Sequence, residues 1–197
     1  MARVLIVYES KYGQTQKIAQ YIANKIRNTG IETDVLEDHQ KEIVGLAKYD
    51  GVIIGGAVYA RGFPHKLQEW AHHHADILNE TTSAFFSVCL GILENTPKAK
   101  KEEREIVQGF FKKTGWCPQQ WRIFAGGLKY SKYNWFIKNI MKRIAKQEGS
   151  DTDTARDYEY TNWQDVDEFV NDFLVALKTA PRHYEIPNRA DTPSLGL

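Results

Sequence analysis

A chain of 197 residues with 42% hydrophobic and 12% aromatic content can bury a sizeable core, which excludes a fibrous or wholly disordered protein. Because 26 Lys and Arg residues nearly balance 25 Asp and Glu residues, the net charge of +1 gives no overall field that would attract nucleic acid, and charge-driven binding must be local. The two cysteines, Cys89 and Cys117, have neither redox-motif nor zinc-site spacing, and so low a count suggests a reducing cytosol.

The apolar run at the N-terminus ends after a few residues at a polar turn, so it is too short for a signal peptide. The longest largely apolar stretch, GVIIGGAVYA, is about half of a membrane-spanning helix. We therefore expect a cytoplasmic protein without a membrane-spanning segment.

Short β-branched segments alternate along the chain with segments of helical periodicity. Strands are predicted at residues 3–8, 32–37, 50–57, 83–90 and 120–127. Between them, apolar side chains recur at spacings of three and four residues, as in Ile18, Ile22 and Ile26. Strands interleaved with helices predict right-handed crossovers and a doubly wound parallel α/β sheet covered on both faces.

The end of the chain departs from this alternation. Residues 128–161 form an insert before the last helix, where a short loop would suffice. That helix is predicted to begin at TNWQ, where Thr161 and Gln164 have capping-box spacing, and to end near Lys178. We interpret residues 1–178 as one domain. The tail over 179–197, with scattered prolines and polar residues, is predicted to be disordered or loosely docked.

The turn after the first strand, SKYGQT, has the residues of an anion site. Ser10 and Thr15 supply hydroxyls, Gly13 allows close backbone approach or a positive φ, and the following helix presents free N–H groups. The alternative is an ordinary strand-to-helix turn with a Thr N-cap. The turn lacks the Walker A pattern, and the chain has no GxGxxG fingerprint.

Ligands of open α/β sheets lie beyond the carboxyl ends of the strands, at the switch in strand order. Three loops should meet there, at residues 9–15, 57–63 and 87–97. The second offers Tyr59 and Arg61, and the third offers small and apolar groups with free amides. A phosphate site flanked by such loops suits a phosphorylated planar ring.

The S-x-x-G-x-T turn and the strand order 2-1-3-4-5 resemble the flavodoxin fold, which binds FMN. More specifically, the chain resembles the quinone-dependent, flavodoxin-like protoporphyrinogen IX dehydrogenase family of bacteria, which acts in haem synthesis. The resemblance covers residues 2–178 and rests on YGQT, IIGGAVYARGFP, SAFFSV, AGGLKYSKYNW and DTDTARDYEYTNW. It implies FMN as cofactor, protoporphyrinogen IX as electron donor and a membrane quinone, menaquinone or ubiquinone, as acceptor.

The resemblance also implies cofactor positions in the first turn and in the backbone between Phe86 and Thr154, and the second loop adds residues by its position. The predicted cofactor residues are Ser10, Lys11, Tyr12, Gly13, Gln14, Thr15, Ala57, Val58, Tyr59, Phe86, Ser87, Val88, Cys89, Leu90, Gly91 and Thr154. An electron shuttle of flavodoxin type and an NAD(P)H:quinone reductase remain alternative functions.

Residue type and loop position suggest how the substrate would bind. Arg61, Lys129 and Lys132 are candidate cations for its propionates, and its macrocycle could lie against Tyr59, Tyr130 or Trp135. No general base can be named from spacing. The HHH run at 72–74 cannot chelate one metal from a single helix, so no metal site is predicted.

Residues 129–147 contain six basic residues and no acidic residue. A helix from Asn134 would place its apolar side chains in one stripe and its basic side chains elsewhere. This basic amphipathic helix either packs on the protein with a solvated basic face or contacts an anionic membrane surface. We expect attachment to the cytoplasmic face of the inner membrane and no nucleic-acid binding, and we leave a homo-oligomer open.

Overall fold

The computed structural model describes residues 2–37, 45–59, 62–128 and 158–180. Its centre is a five-stranded, all-parallel sheet in the order β2-β1-β3-β4-β5, which confirms the predicted fold class. The strands are β1 Arg3–Glu9, β2 Glu32–Glu37, β3 Gly51–Ala57, β4 Thr82–Cys89 and β5 Gln120–Ala125.

Five α-helices flank this sheet in the described part of the chain. They are α1 Gln14–Arg27, α2 His65–His73, α3 Ala75–Glu80, α4 Pro97–Thr114 and α5 Trp163–Thr179. Short 3-10 helices cover Leu46–Lys48 and Gly91–Glu94. None of the helices in these ranges is long and apolar enough to cross a membrane.

The sheet has a separate apolar core on each face, which explains why β3 and β4 consist entirely of buried residues. On one face, the isoleucines of α1 and Phe169 and Phe173 of α5 pack against even-numbered positions of β1 and β4. On the other face, Leu67 of α2 and Phe110 of α4 belong to a second core that contains the fully buried Trp116. The Trp116 indole donates a hydrogen bond to Ser83 Oγ at 3.0 Å, so its polar atom is satisfied.

The fifth strand is shorter than the predicted 120–127. It ends at Ala125, and β6 (Gly127–Leu128) then pairs antiparallel with β7 (Tyr158–Glu159) in a separate two-stranded ribbon. This ribbon joins the two ends of the insert at the carboxyl end of β5.

The predicted capping box at the start of α5 is wrong. Asn162 is the N-cap, and its side-chain oxygen accepts a hydrogen bond from Gln164 N at 3.0 Å. The Thr161 hydroxyl is used elsewhere, because it accepts from Gln14 Nε2 at 2.8 Å and donates to Ala125 O at 2.8 Å.

Several predictions concern residues outside the described ranges. They include the basic amphipathic helix within 129–147 and nearly all of the 179–197 tail. These predictions, and the assignment of 1–178 to one domain, stay predictions.

Candidate functional site

The loops after β1, β3 and β4 meet at the carboxyl edge of the sheet, as expected for an open α/β fold. The amide of Lys11 donates to Tyr59 Oη at 3.2 Å, which joins the first loop to the second. The amide of Val58 donates to Val88 O at 3.0 Å, which joins the second loop to the end of β4. These contacts bring together residues from three separate parts of the sequence.

The turn at residues 10–13 is built around a left-handed glycine. Gly13 has φ 93°, a conformation that residues with a Cβ rarely adopt. Its amide donates to Ser10 Oγ at 3.0 Å, so the serine hydroxyl closes the turn. Two of the three motif residues, Ser10 and Gly13, therefore shape the backbone at this position.

The N-terminus of α1 is open to an anion. Gly13 is the N-cap and provides no side-chain cap. The first intrahelical bond runs from Lys17 N to Gly13 O at 3.0 Å, so the preceding helical amides have no intrahelical acceptor. Thr15 is the second helical residue and only 2% exposed, so the alternative of a Thr N-cap is wrong.

The α5 side of the site braces this first turn of α1. Gln14 is held by Thr161, and Lys17 forms an ion pair with Glu159 in β7. The other carboxylate oxygen of Glu159 accepts from Trp163 Nε1 at 2.8 Å, and the Lys17 ammonium lies 5.3 Å from the Trp163 ring. The ribbon at the base of the insert is thus bonded to the helix that begins the site.

This brace is not predictable from local sequence patterns. Gln14 and Thr161 are 147 residues apart, and no local spacing relates them. The sequence does contain one signal. Asn162 can cap α5, so the hydroxyl of the preceding Thr161 is left for another partner. That this partner is Gln14 follows only from the fold.

Aromatic side chains enclose the side of the turn that faces the second loop. The Tyr12 and Tyr59 rings meet edge to face with centroids 5.6 Å apart. Burial raises the pKa of Tyr59 to about 12, so its hydroxyl is a neutral acceptor for the Lys11 amide at physiological pH. The loop geometry therefore depends on a phenol that does not ionise in the cell.

The third loop places a buried thiol next to a carboxylate. Burial raises the pKa of the Cys89 thiol, and the nearby Glu103 carboxylate raises it further, so Cys89 stays protonated. A Cβ on Gly91 would come within 2.1 Å of Glu103 Oε1, so the Glu103 side chain lies directly against this loop. The protonated thiol is a poor nucleophile, and this loop contributes shape rather than covalent chemistry.

The structure places most of the predicted cofactor and substrate residues in three groups. Those in the first turn, together with Val58, Tyr59, Leu90 and Gly91, lie on the converging loops or at their junctions with the helices. Phe86 and Ser87 are fully buried inside β4. Arg61, Lys129, Tyr130, Lys132, Trp135 and Thr154 lie outside the described residues.

The remaining strand-end residues, Ala57, Val88 and Cys89, are buried at 6%, 5% and 5% exposure. Together with Phe86 and Ser87 they support the loops from below. The buried strand residues are therefore less suited to direct contact with a ligand than the residues of the loops.

This arrangement fits the phosphate of a flavin nucleotide. A glycine in the left-handed region, a helix N-terminus without a capping side chain and an adjacent hydroxyl provide N–H and O–H donors and a favourable dipole. Ser10, Gly13, Gln14 and Thr15 would hold the phosphate, and the second and third loops would flank the ring.

Comparison with known proteins agrees with the fold. The flavodoxin domain family matches residues 5–155. The structure is similar to oxidised flavodoxin 1 from Bacillus cereus, with a TM-score of 0.55, 17% identity, and coverage of 91% of this chain and 100% of that one. This similarity shows the fold, and the domain family implies a flavin cofactor.

Two curated relatives give a more specific relationship. Protoporphyrinogen IX dehydrogenase [quinone] of Escherichia coli (strain K12) is 32% identical over 170 residues, which are 86% of this chain and 93% of the relative. The protein of the same name from Leishmania major is 29% identical over 182 residues, which are 91% of this chain and 78% of the relative. The chain therefore belongs to the flavodoxin-like protoporphyrinogen IX dehydrogenase [quinone] family of oxidoreductases.

Proposed function

We propose that this chain is an FMN-dependent enzyme that oxidises protoporphyrinogen IX to protoporphyrin IX and transfers the electrons to a membrane quinone. The observation that carries the proposal is the 32% identity to the E. coli enzyme over 86% of the chain. The anion-binding geometry of the first turn supports it independently, because that turn is where a flavodoxin-type protein needs phosphate donors.

The reaction balances with three rounds of two-electron transfer. Conversion of the porphyrinogen to the porphyrin removes six electrons and six protons, and three quinone molecules leave as quinols. When bound, FMN supplies the acceptor for each two-electron step. The chain itself binds and orients the reactants, because the flavin does the redox chemistry.

The first turn would fix the flavin by its phosphate. The amides that follow Gly13 donate to the phosphate, and the brace through Gln14 and Thr161 keeps the first turn of α1 in place. Tyr59 holds the second loop against the turn through the Lys11 amide. Together these contacts set the position of the ring relative to the loops that flank it.

We propose that the substrate propionates bind cations of the second loop and of the insert, namely Arg61, Lys129 and Lys132. The Lys129→Ala/Lys132→Ala double variant should raise the KM for protoporphyrinogen IX more than it lowers kcat. Unchanged KM and kcat in this variant would exclude the two lysines from propionate binding.

Attachment to the cytoplasmic face of the inner membrane through residues 129–147 would bring the enzyme to its quinone. Partial insertion of an apolar stripe offers about 1.5 to 3 kcal/mol for each large side chain. Each nearby basic residue adds about 1 kcal/mol on an anionic surface.

Sedimentation with anionic liposomes at low salt and release at high salt would support this attachment, since salt screens the attraction between the basic residues and the lipid head groups. Absence of binding at low salt, or retention at high salt, would contradict an electrostatic anchor.

An assay of electron donors and acceptors tests the proposed function. The FMN-loaded protein should oxidise protoporphyrinogen IX anaerobically with menaquinone or ubiquinone and should produce fluorescent porphyrin. Quinone reduction by NAD(P)H without porphyrinogen turnover would identify a quinone reductase instead. A stabilised one-electron flavin radical in a redox titration, again without porphyrinogen turnover, would identify an electron shuttle.

A further inference from the structure

Lys11 holds its ammonium group at the boundary between the first and second loops. Its Nζ lies 5.5 Å from the centroid of the Tyr12 ring and 5.6 Å from that of the Tyr59 ring. The backbone of the same residue donates to Tyr59 Oη at 3.2 Å. Two contacts therefore fix Lys11 relative to the second loop, one through its amide and one through its side chain.

This lysine differs from the next two lysines along the chain. Lys17 is paired with Glu159, and Lys25 is paired with Asp167 at 2.9 Å. In the part of the chain that the structure describes, no carboxylate forms an ion pair with Lys11, whose side chain is exposed. Among these residues no ion pair neutralises Lys11, although the Glu9 carboxylate acts electrostatically on the adjacent Tyr59. The rings of Tyr12 and Tyr59 therefore hold a positive charge in a defined position at the loops where the ligands meet.

The surroundings of this ammonium favour an anionic ligand. Ring faces stabilise a cation without neutralising its charge, so the group can still donate to an anion on its open side. Tyr59 does not compete as an anion, because burial raises its pKa to about 12. The amides and hydroxyls of the first turn would hold the flavin phosphate, which leaves the Lys11 side chain for a second anionic group.

We propose that the Lys11 ammonium, positioned by Tyr12 and Tyr59, binds a propionate carboxylate of the porphyrinogen and thereby selects donors that carry this acid group. The inference rests on the proposed function, because it assigns a specificity residue to that same site. The propionates are the charged groups of protoporphyrinogen IX, so a fixed cation beside the ring-binding loops distinguishes the free acid from an uncharged analogue.

The test compares protoporphyrinogen IX with its dimethyl ester, in which both carboxylates are neutral. The holoenzyme is assayed anaerobically with menadione as a soluble quinone, and porphyrin fluorescence gives KM and kcat for each donor. In Lys11→Met, the ratio of the free-acid KM to the ester KM should rise about tenfold, since one charge-assisted hydrogen bond is lost. Lys11→Arg should keep the ratio close to that of the parent protein.

Lys48→Met is the matched control. Its ammonium lies 5.4 Å from the centroid of the Tyr49 ring, a contact of the same kind, but it precedes β3 and so lies at the opposite end of the sheet from the site. This variant should leave both KM values unchanged. The FMN dissociation constant is measured for every variant by quenching of flavin fluorescence.

Three outcomes would overturn the inference. Equal changes of KM for the free acid and the ester in Lys11→Met would show that the lysine does not recognise a carboxylate. A rise in the FMN dissociation constant without a change in the KM ratio would assign Lys11 to the cofactor phosphate. A parent holoenzyme that oxidises neither donor would refute the proposed function itself, which separates that failure from failure of the Lys11 assignment.

Discussion

Thr161 links two distant parts of the chain through one hydroxyl group. It accepts from Gln14 at the start of α1 and donates to the carbonyl of Ala125 at the end of β5, both at 2.8 Å. The residue is 8% exposed, so water cannot easily replace either partner. Its role is to keep the first helical turn in register with the end of the sheet.

Removal of this hydroxyl should therefore weaken cofactor binding. In Thr161→Val, loss of a buried hydrogen-bonded group worth about 1 to 2 kcal/mol should raise the FMN dissociation constant about fivefold to thirtyfold. Thr179→Val is the control, because among the described residues the Thr179 hydroxyl bonds to its own helix alone, at the far end of α5. An FMN affinity that falls equally in both variants would contradict a specific brace.

Tyr49 gives the fold an alkaline pH dependence. Burial and a 2.7 Å hydrogen bond to Asp34 raise the pKa of Tyr49 to about 12. A raised pKa means that the folded state holds the phenol proton more tightly, so this stabilisation is complete below the ordinary pKa and is lost as pH rises through the folded pKa.

The comparison with Tyr49→Phe tests this dependence. The parent protein should be the more stable of the two at pH 8, and its advantage in unfolding free energy should shrink between about pH 10 and pH 12. Urea unfolding at several pH values measures the difference. An advantage that stays constant over this range would contradict the assignment.

The motif-bearing residues of the site could be predicted from the sequence, whereas its supporting residues could not. Ser10 and Gly13 act within one turn, so their local pattern contains the information. Thr161, Lys17 and Glu159 act across the fold, and their pairing depends on where α5 and the ribbon lie. The substrate cation that we assign to Lys11 was predicted only as a member of the cofactor loop.

At the scale of elements, Gly55 of β3 leaves room for the Phe86 ring of the neighbouring strand β4. A Cβ on Gly55 would come within 2.1 Å of the Phe86 ring, which is fully buried and cannot move aside easily. Phe86 in turn contacts Phe124 and Phe169 on the α5 side of the sheet. The glycine thus makes room for an aromatic cluster that joins the sheet to the last helix.

Gly55→Ala should destabilise the protein by about 1 to 3 kcal/mol, because overpacking forces the ring out of its position. Gly109→Ala is the matched control, since nothing lies within 4 Å of its added methyl group in the middle of α4. That substitution should be neutral or stabilising by about 0.4 to 1 kcal/mol. Urea unfolding at a fixed FMN concentration measures both, and equal effects would contradict the packing argument.

Element types were predictable where the periodicity was strong. The strands of a doubly covered sheet are continuous apolar segments, and four of the five observed strands match the predicted ranges to within one residue at each end. The break between β5 and β6 was missed, because apolar and glycine residues continue across it. The pairing of Gly127 with Glu159 and of Leu128 with Tyr158 shows that a second sheet begins after Ala125.

At the scale of the whole molecule, the parallel order of the sheet places the site. The chain adds β2 on one side of β1 and β3 on the other, so the strand order changes direction there and leaves a crevice at the carboxyl ends of β1 and β3. The loops after β1, β3 and β4 line this crevice. Alternating strand and helix patterns were enough to predict a doubly wound parallel sheet, whereas the strand order came with the resemblance to the flavodoxin fold. The pattern was not enough to predict that the base of the insert is bonded to α1, because that contact joins segments from opposite ends of the chain.

The most direct test of the central claim is a single-turnover reduction of the bound flavin. The FMN-loaded protein is mixed anaerobically with protoporphyrinogen IX in the absence of quinone, and the visible absorbance of the flavin is followed. The account predicts bleaching of the flavin with formation of porphyrin, followed by recovery of the absorbance when a quinone is added. A flavin that stays oxidised with protoporphyrinogen IX, while NADPH or a dithionite-reduced partner protein reduces it, would contradict the account.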